Sequence, residues 1–161
     1  KIEGRMKTAL YVATVARTYR KAIDDYKKDP ALYQKNMEWY KAEIGKCTYR
    51  EFTTGFYFGK PTTDSQIYDS NTYVKNYTYL GTVEEVREDG CCRIEQKNKF
   101  SVGEQIEIMK PDGRNVLVTV KGITDEDGNA MESAPHPKQI LWVDLGSEVS
   151  PYDILRRSEM E

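Results

Sequence analysis

The strongest constraint on the fold is a series of turn signals in the second half of the chain. Four helix-breaking turns occur there, at Asp89-Gly90, at Gly103, at 111–113 and at 125–129. Glycine, proline, aspartate and asparagine favour tight turns, because they tolerate or pre-set backbone angles that other residues adopt poorly. Turns this frequent leave little room for helices and indicate short antiparallel strands.

The segments between these turns alternate apolar and polar residues with a period of two. In "EQIEIM" the two isoleucines occupy one face of the predicted strand, and the glutamine and second glutamate occupy the other. Further strands are predicted in "YTYLGTVEEVRE", "CCRIEQKN", "NVLVTVKGI" and "QILWVDL". The expected fold of residues 77–157 is a small antiparallel barrel or sandwich.

The first part of the chain has a different period, in which apolar residues recur every three or four positions. This period predicts one helix that begins after a Thr8 cap and ends near Lys28. A second helix is predicted from an Asp29 cap to about Ile44, with Gly45 as its stop. The expected fold class is therefore α+β, with two N-terminal helices followed by a small antiparallel β-barrel.

The first predicted helix has apolar residues on more sides than contact with one neighbouring element would bury. Its stretch "ALYVATVA" is apolar almost all round, which is typical of a helix buried on every side. One continuous apolar face is also expected, formed by Ala9, Val12, Ala13, Ala16, Tyr19, Ile23 and Tyr26. We therefore expect a partner surface from outside this sequence. Without that partner, the chain would expose apolar surface and either dimerise or fold this helix onto its own barrel.

Charge is distributed unevenly along the chain. Residues 1–60 carry 13 Lys and Arg against 7 Asp and Glu, whereas residues 61–161 carry 11 against 19, so a net charge of +6 is followed by −8. Phosphate contacts need positive charge, which weighs against the barrel as a general nucleic-acid binder. No run of about 18 apolar residues predicts a membrane span, and no apolar leader opens the sequence, so a cytoplasmic protein is expected.

Little in the sequence suggests catalysis by this chain alone. The cysteines are Cys47 and the neighbours Cys91 and Cys92, which would point to opposite faces of a strand; no C-x-x-C pair is present. The single histidine, His136, stands between two prolines in a predicted loop, and the carboxylates at 125–127 indicate a solvated turn. We predict no catalytic residue, no metal site and no cofactor within this sequence.

One segment between the helices and the strands is unusual in composition. "YREFTTGFYFGKP" places five aromatic residues within ten positions, together with two glycines and a basic residue near each end. Aromatic rings beside positive charges can stack on exposed bases. The same rings can equally form a buried wrap that joins the helices to the barrel. The candidate contact set for RNA is Arg50, Phe56, Tyr57, Phe58 and Lys60.

Several stretches, taken in order, resemble one known family. "KIEGRMKT", "YVATVARTYRKAIDDY", "REFTTGFYFGKP", "YLGTV", "IEQKNKFSVGEQIEIMKP" and "PYDILRR" together resemble the C-terminal third of the collagenase-like proteases, peptidase family U32. The resemblance implies that the family's catalytic segment, on a TIM-type α/β barrel, lies upstream of this sequence. The cluster cysteines of that segment have no counterparts among the three cysteines here.

A shorter resemblance concerns the predicted barrel. Gly81-Thr82-Val83, followed by Gly103-Glu104, is similar to the second-domain barrel of translation factors. The two resemblances together imply three regions. A helical segment at 1–48 ends the missing catalytic domain, an aromatic and glycine-rich wrap or linker follows at 49–76, and an accessory β-barrel domain occupies 77–157.

The family resemblance implies two functions from different classes. Some members are described as collagenase-like proteases, and others are related to proteins that hydroxylate tRNA or rRNA. The leading expectation is a non-catalytic C-terminal accessory domain that positions tRNA or rRNA over the upstream TIM-type catalytic domain. The alternative is a peptide-binding lid of a collagenase-like protease, in which a barrel edge accepts an extended chain. A third interpretation is a domain that only stabilises the longer protein or its homodimer.

The opening "KIEGRMKT" allows two origins. Residues 2–5 spell a protease site used to remove affinity tags, but the family resemblance continues through them, which favours a native origin. On that interpretation the opening is the last strand of the catalytic barrel and the start of the following helix. Because catalytic groups collect at the C-terminal ends of such strands, Glu3 and Arg5 are predicted to line the active-site mouth of the longer protein.

Overall fold

Three helices precede an antiparallel sheet in the computed structural model, which describes residues 2–47, 55–60 and 76–159. The helices of these residues are α1 (Ala9–Lys28), α2 (Pro30–Lys35) and α3 (Met37–Ile44). The strands are β1 (Tyr77–Val86), β2 (Cys92–Glu95), β3 (Gln105–Met109), β4 (Asn115–Thr119), β5 (Gly122–Thr124), β6 (Ala130–Met131), β7 (Ile140–Asp144) and β8 (Ile154–Ser158).

Helix α1 begins and ends as the sequence predicts. The Thr8 hydroxyl accepts a hydrogen bond from the backbone N–H of Tyr11 at 3.4 Å, which satisfies one of the unpaired donors of the first turn. Lys27 and Lys28 lie in the last turn, where positive charge interacts favourably with the helix dipole.

The second predicted helix is instead divided at Asn36 into α2 and α3. Asp29 caps α2 as predicted, by accepting a hydrogen bond from the backbone N–H of Ala31 at 2.9 Å. The Asn36 backbone has φ −91° and ψ 6°, and its side-chain amide donates to the Asp25 carboxylate on α1 at 2.9 Å. A polar side chain with a partner elsewhere in the fold competes with helical geometry. Gly45 follows α3 with φ −70°, so it ends the helix without the left-handed conformation that glycine stops commonly adopt.

The described strands form one antiparallel sheet in the order β4-β3-β8-β1-β2-β7-β5-β6. Strand β4 stands at one end of this order, yet only Val120 and Lys121 separate it from β5 near the other end. The sheet must therefore curl. Hydrogen bonds from Gly103 N to Val120 O (2.8 Å) and from Val120 N to Glu104 O (3.0 Å) hold the curled edge. This arrangement confirms the predicted fold class of N-terminal helices followed by a small antiparallel barrel.

Strand β1 serves both halves of the sheet. It pairs with β8 along its first part and with β2 along its second part, with register shifts between Tyr79 and Gly81 and between Val83 and Glu85. Such bulges bend a strand and increase its twist, which helps the sheet to curl. Gly81 is needed at the first bend, because a Cβ atom there would lie 3.1 Å from the carbonyl oxygen of Glu95.

Two apolar clusters hold the structure together. The larger one fills the barrel and includes Leu80, Phe100, Ile106, Ile108, Leu141 and Leu155. The smaller one lies between α1 and the outer side of the sheet, and it consists of Leu10, Tyr79, Met109 and Ile154 with Ala13 packed against them. Strand β8 is thus covered on both sides, by the barrel interior and by α1.

The sequence pattern does not predict two of the strands. Strand β6 is two residues long, and β8 reads "ILRRS", in which two apolar residues followed by two arginines hide the period of two. Strand β8 nevertheless pairs with both β1 and β3 within the sheet. Its Arg156 side chain is fully buried, and a simple pattern of apolar and polar residues cannot show a buried arginine.

Candidate nucleic-acid contact and the helix–barrel junction

Residues 55–60, which we call the aromatic turn, project their large side chains into solvent. Phe56, Tyr57 and Phe58 are 78%, 84% and 82% exposed, and Lys60 is exposed beside them. The rings of Tyr57 and Phe58 meet edge to face, with their centroids 5.0 Å apart. The interpretation of this segment as a buried wrap does not hold for these three side chains. They are instead free of the barrel core and accessible to a ligand.

Two glycines give the aromatic turn its shape. Gly55 has φ +53° and Gly59 has φ +141°, a region of backbone conformation that side-chain-bearing residues rarely adopt. The backbone N–H of Gly59 donates to the carbonyl oxygen of Phe56 at 3.3 Å. Three neighbouring aromatic rings are thereby presented on a tight turn. Arg50, the remaining member of the predicted contact set, lies outside the described residues.

Residues 2–8 lead into α1 without forming a strand in this chain, and their place as the last strand of the longer protein's catalytic barrel stays a prediction. A strand needs a neighbouring strand for its backbone hydrogen bonds, and none of the described strands pairs with this segment. Glu3 and Arg5 are exposed, and the backbone N–H of Arg5 donates to the Glu3 carboxylate. Their place at the mouth of an active site stays a prediction.

Helix α1 contacts the barrel through polar residues as well as through the small apolar cluster around Leu10. We call this side the inner face of α1; its buried residues are Leu10, Thr14, Arg17, Thr18 and Asp25. The guanidinium group of Arg17 donates to the carbonyl oxygen of Lys110 at 2.8 Å and to the side-chain oxygen of Asn115 at 3.0 Å. These acceptors lie at the turn between β3 and β4, so the inner face is fixed to the sheet by directional bonds.

A cluster of charged side chains, here called the junction network, continues this contact. Its members are Arg17, Glu43, Lys46, Glu107 and Arg156. Glu43 on α3 accepts from Arg17 on α1 and from Arg156 on β8, the second bond being 2.7 Å long. Arg156 also donates to Glu107 on β3 at 2.6 Å. The side chains of Glu43 and Arg156 are 1% and 0% exposed. The network therefore fastens two helices to two strands, and its central pair of Glu43 and Arg156 is shielded from water.

The charge states in this network depend on one another. Burial alone would raise the pKa of Glu43, but the charges of Arg156 and Arg17 outweigh burial and hold the pKa below its ordinary value. Burial lowers the pKa of Arg17, and the attraction of Glu43 opposes that shift. At neutral pH Glu43 is thus the ionised counter-ion of two guanidinium groups that have lost their water.

A second polar contact joins the three helices to one another. The Asp25 carboxylate accepts from the Lys21 ammonium at 2.8 Å, from the Asn36 amide at 2.9 Å and from the Tyr40 hydroxyl at 2.6 Å. Burial alone would raise the pKa of Asp25, but these donors outweigh it and lower the pKa to about 2. Burial, together with the adjacent Asp25 carboxylate, raises the pKa of Tyr40 to about 12.

The opposite side of α1 is apolar and largely exposed, with Gly4 lying against Val12 and the ring of Tyr26 meeting that of Tyr33 edge to face. We call it the outer face of α1; its residues are Val12, Ala16, Tyr19, Ile23 and Tyr26. The four larger side chains are 40%, 52%, 45% and 57% exposed in that order. Between this face and α3 lies an apolar groove of about 470 Å³, lined by Ile2, Tyr11, Val15, Tyr19, Ile23, Ile44 and Cys47. The structure confirms that the chain exposes apolar surface when the helix folds onto its own barrel.

The remaining residues that could take part in a reaction are the cysteines, His136 and Asp125, and they lie in unreactive surroundings. Burial raises the pKa of the Cys92 thiol to about 12 and also raises the pKa of Cys47, so neither thiol favours the thiolate form. His136 is exposed, and the Asp125 carboxylate accepts from backbone N–H groups of its own turn. In the part of the chain that the structure describes, no three His, Cys, Asp or Glu side chains are grouped to hold a metal ion. No described helix is both long enough and apolar enough to cross a membrane.

Two family models match this chain, one over its described helices and the other over most of its strands. The model described as the peptidase family U32 C-terminal domain matches residues 75–156, which contain most of the sheet. The model described as peptidase family U32 matches residues 1–67, which contain all three described helices. The chain belongs to peptidase family U32. Within the family, the helices match the U32 domain and the barrel matches its C-terminal domain.

The U32 relatives among curated proteins include two named for tRNA hydroxylation. tRNA hydroxylation protein P1 of Bacillus subtilis is 36% identical over 160 residues, which are 99% of this chain and 38% of that protein. tRNA hydroxylation protein P of Escherichia coli is 31% identical over 160 residues, which are 98% of this chain and 34% of that protein. The chain thus spans little more than a third of the length of these relatives.

Solved U32 structures also resemble this chain. A selenomethionine variant of the C-terminal domain of a Geobacillus thermoleovorans protein assigned to the U32 peptidases shares 30% sequence identity with a TM-score of 0.46, covering 50% of this chain and 99% of that one. A second structure of the same domain has the same identity and TM-score, and it covers 51% of this chain and 92% of the other.

Proposed function

We propose that this chain is a non-catalytic C-terminal region of a longer U32 protein and that it holds a tRNA or rRNA substrate against an upstream catalytic domain. The observation that carries the proposal is the exposed aromatic turn, with three rings and Lys60 presented to solvent. The names of the two curated relatives support an RNA substrate rather than a peptide. The reaction itself belongs, on this proposal, to the upstream domain.

The chemistry of the aromatic turn suits unpaired bases. Every base has a flat π-face, and stacking of a base on an aromatic side chain contributes about 1–3 kcal/mol per base. Bases in RNA loops are available for such stacking, because they are not fixed in a duplex. Phe56, Tyr57 and Phe58 offer adjacent rings, and Lys60 can pair with a phosphate. Arg50 is included in the proposed contact set from the sequence alone.

The charge distribution favours an approach of RNA from the helical side. Lys27 and Lys28 at the end of α1 and Lys35 at the end of α2 are all exposed. The half of the chain that contains the barrel carries the excess of carboxylates. A polyanion would therefore be attracted to the helices and repelled by much of the barrel surface. The barrel would act as a rigid support.

The junction network explains how a support of this kind could position a substrate. It ties the barrel to α1 and α3, which lie in the segment that matches the U32 domain. A barrel held by these ion pairs would keep a fixed orientation to α1 and α3, and through them to the upstream domain. Glu3 and Arg5 are proposed to lie near the mouth of the active site in the longer protein.

RNA binding by variants of the aromatic turn tests the proposal directly. Tyr57→Ala should weaken binding of unmodified tRNA, measured by a gel shift at low ionic strength, by about 5- to 150-fold, equivalent to the loss of one stacked base. Lys60→Gln should weaken binding less and reduce its dependence on salt. Tyr152→Ala is the matched control, since Tyr152 lies on the barrel and is 80% exposed, close to the 84% of Tyr57.

Two outcomes would contradict the proposal. One is the absence of tRNA and rRNA binding at low salt, both by this chain and by the longer protein. The other is an equal loss of binding for Tyr57→Ala and Tyr152→Ala, which would mean that the aromatic turn has no special role.

The alternative of a peptide-binding lid has one observation in its favour. Strand β4 stands at an end of the described sheet, and its Leu117 side chain is 65% exposed. An extended peptide could add to such an edge by backbone hydrogen bonds. Protection of β4 amides from hydrogen exchange by an unstructured peptide, with no response to RNA, would favour this alternative over RNA binding.

A further inference from the structure

We infer that the outer face of α1 is the docking surface for the upstream part of the U32 domain in a longer protein that contains this chain. The surface is the row Val12, Ala16, Tyr19, Ile23 and Tyr26 together with the groove between α1 and α3. The occupant is the stretch of the same polypeptide that precedes Ile2. The inference does not depend on RNA binding.

The outer face has the composition of an interior surface. Its residues recur at intervals of three and four, so they form one stripe along the helix. Val12, Tyr19 and Ile23 are each at least 40% exposed. The inner face already contacts the barrel, so a second contact for α1 must form on the outer side. A continuous apolar stripe of this length on a helix marks a surface that another element covers.

Two observations identify the occupant. First, the model that matches residues 1–67 is that of the U32 domain and not of its C-terminal domain, so the three helices belong with a domain of which this chain contains only a part. Second, Ile2 itself lines the groove beside Tyr19 and Ile44. Residues that precede this sequence in a longer protein would therefore begin close to this surface.

The chemistry of the face disfavours RNA as its occupant. Phosphate contacts need positive charge, whereas the five residues of the outer face carry none. The apolar groove, by contrast, suits aliphatic and aromatic side chains from a protein domain. A second copy of the same chain would also satisfy this chemistry, and the experiment below separates it from the upstream domain.

Thiol labelling in two chain lengths tests the inference. Ala16→Cys places a small thiol at the centre of the outer face, at an exposed position where it should not disturb folding. Cys91→Ser removes the half-exposed natural thiol, while Cys47 and Cys92 are buried. Labelling of position 16 by a maleimide, read by peptide mass spectrometry, should be fast in this chain and at least about tenfold slower in the longer protein.

A control position far from α1 is labelled in the same way. Glu126→Cys, in the turn after β5, is exposed and distant in the fold from α1, so its labelling rate should be the same in both chain lengths. Equal labelling of position 16 in both lengths would overturn the inference. Slow labelling of position 16 in this chain that becomes faster on dilution would also overturn it, because a second copy would then cover the face.

Discussion

Helix α1 differs from an ordinary surface helix, because its buried face carries polar residues and its exposed face is apolar. The inner face places Thr14 and Arg17 against the sheet, whereas the outer face exposes Tyr19 and Ile23 to solvent. Surface helices usually turn their apolar stripe towards the core and their charges towards water. Here the buried side carries polar residues, and the inferred docking of an upstream segment accounts for the exposed apolar side.

The two faces of α1 are therefore suited to different roles, one to fixing an orientation and the other to providing stability. Buried ion pairs contribute little net stability, because the loss of water offsets much of their attraction. They do fix geometry, since Glu43 can meet Arg17 and Arg156 together in few arrangements. Apolar contacts are less directional but provide stability in proportion to the area that they bury. The inner face is thus suited to orientation, and the outer face to holding two domains together.

The largest expected effect comes from breaking the junction network. Glu43→Gln removes the only carboxylate that contacts both Arg17 and Arg156 among the described residues, and it leaves two buried guanidinium groups without that counter-ion. We expect the free energy of unfolding to fall by about 3–5 kcal/mol, the usual result of removing one partner from a buried pair. Urea unfolding at neutral pH measures this loss.

The control for this substitution lies on the same helix. Glu38 pairs with Lys41 on the surface of α3, and both side chains are mostly exposed. Because water screens such a pair, Glu38→Gln should leave the unfolding midpoint nearly unchanged. If the free energy of unfolding falls by a similar amount in the two variants, the junction network does not stabilise the contact between α1 and the barrel.

Most of the fold could be predicted from the sequence, because each signal for a helix, turn or strand lies within a short segment. The four turns and the period of two between them indicate the barrel, and the Thr8 and Asp29 caps mark where α1 and α2 begin. The break in the second predicted helix at Asn36 could not be predicted, since it accompanies a hydrogen bond to Asp25, which lies 11 residues away in the sequence. Strand β8 was missed for a similar reason, because Arg156 is buried only through partners on other elements.

The inner face could not be predicted because its members are distant in sequence. Arg17, Glu43, Glu107 and Arg156 come from four elements, and each has the residue type expected of a surface position. The one local signal was an arginine that follows the almost wholly apolar stretch "ALYVATVA". The outer face was predicted, since apolar periodicity within one helix is local. Periodicity alone could not show that this face would point away from the barrel.

Acid titration gives a smaller effect that belongs to the inner face. The pKa of Asp25 falls from its ordinary 3.8 to about 2 on folding, so its stabilising contribution is complete above pH 3.8 and is lost as the pH falls through 2. We expect a loss of about 2 kcal/mol across this range. Unfolding by urea between pH 2 and 6 should show a decline that includes this loss, and the decline should be smaller by about that amount in Asp25→Asn, where the lowered pKa of Glu43 still contributes. Asp24→Asn is the control, because Asp24 lies on the exposed side and should keep the decline.

The smallest effect is expected on the outer face, and a matched pair of substitutions measures it against the inner face. Leu10 is 3% exposed and packs with Met109 and Ile154, so Leu10→Ala should cost about 2–5 kcal/mol. Ile23 is 45% exposed, and Ile23→Ala should change the free energy of unfolding of this chain by no more than about 0.5 kcal/mol. Alanine also favours the helix slightly more than isoleucine does, which offsets part of the lost apolar contact. A cost for Ile23→Ala close to that for Leu10→Ala, measured by urea unfolding of the monomer, would show that the outer face is already buried within this chain. The contrast between the two faces would then be lost.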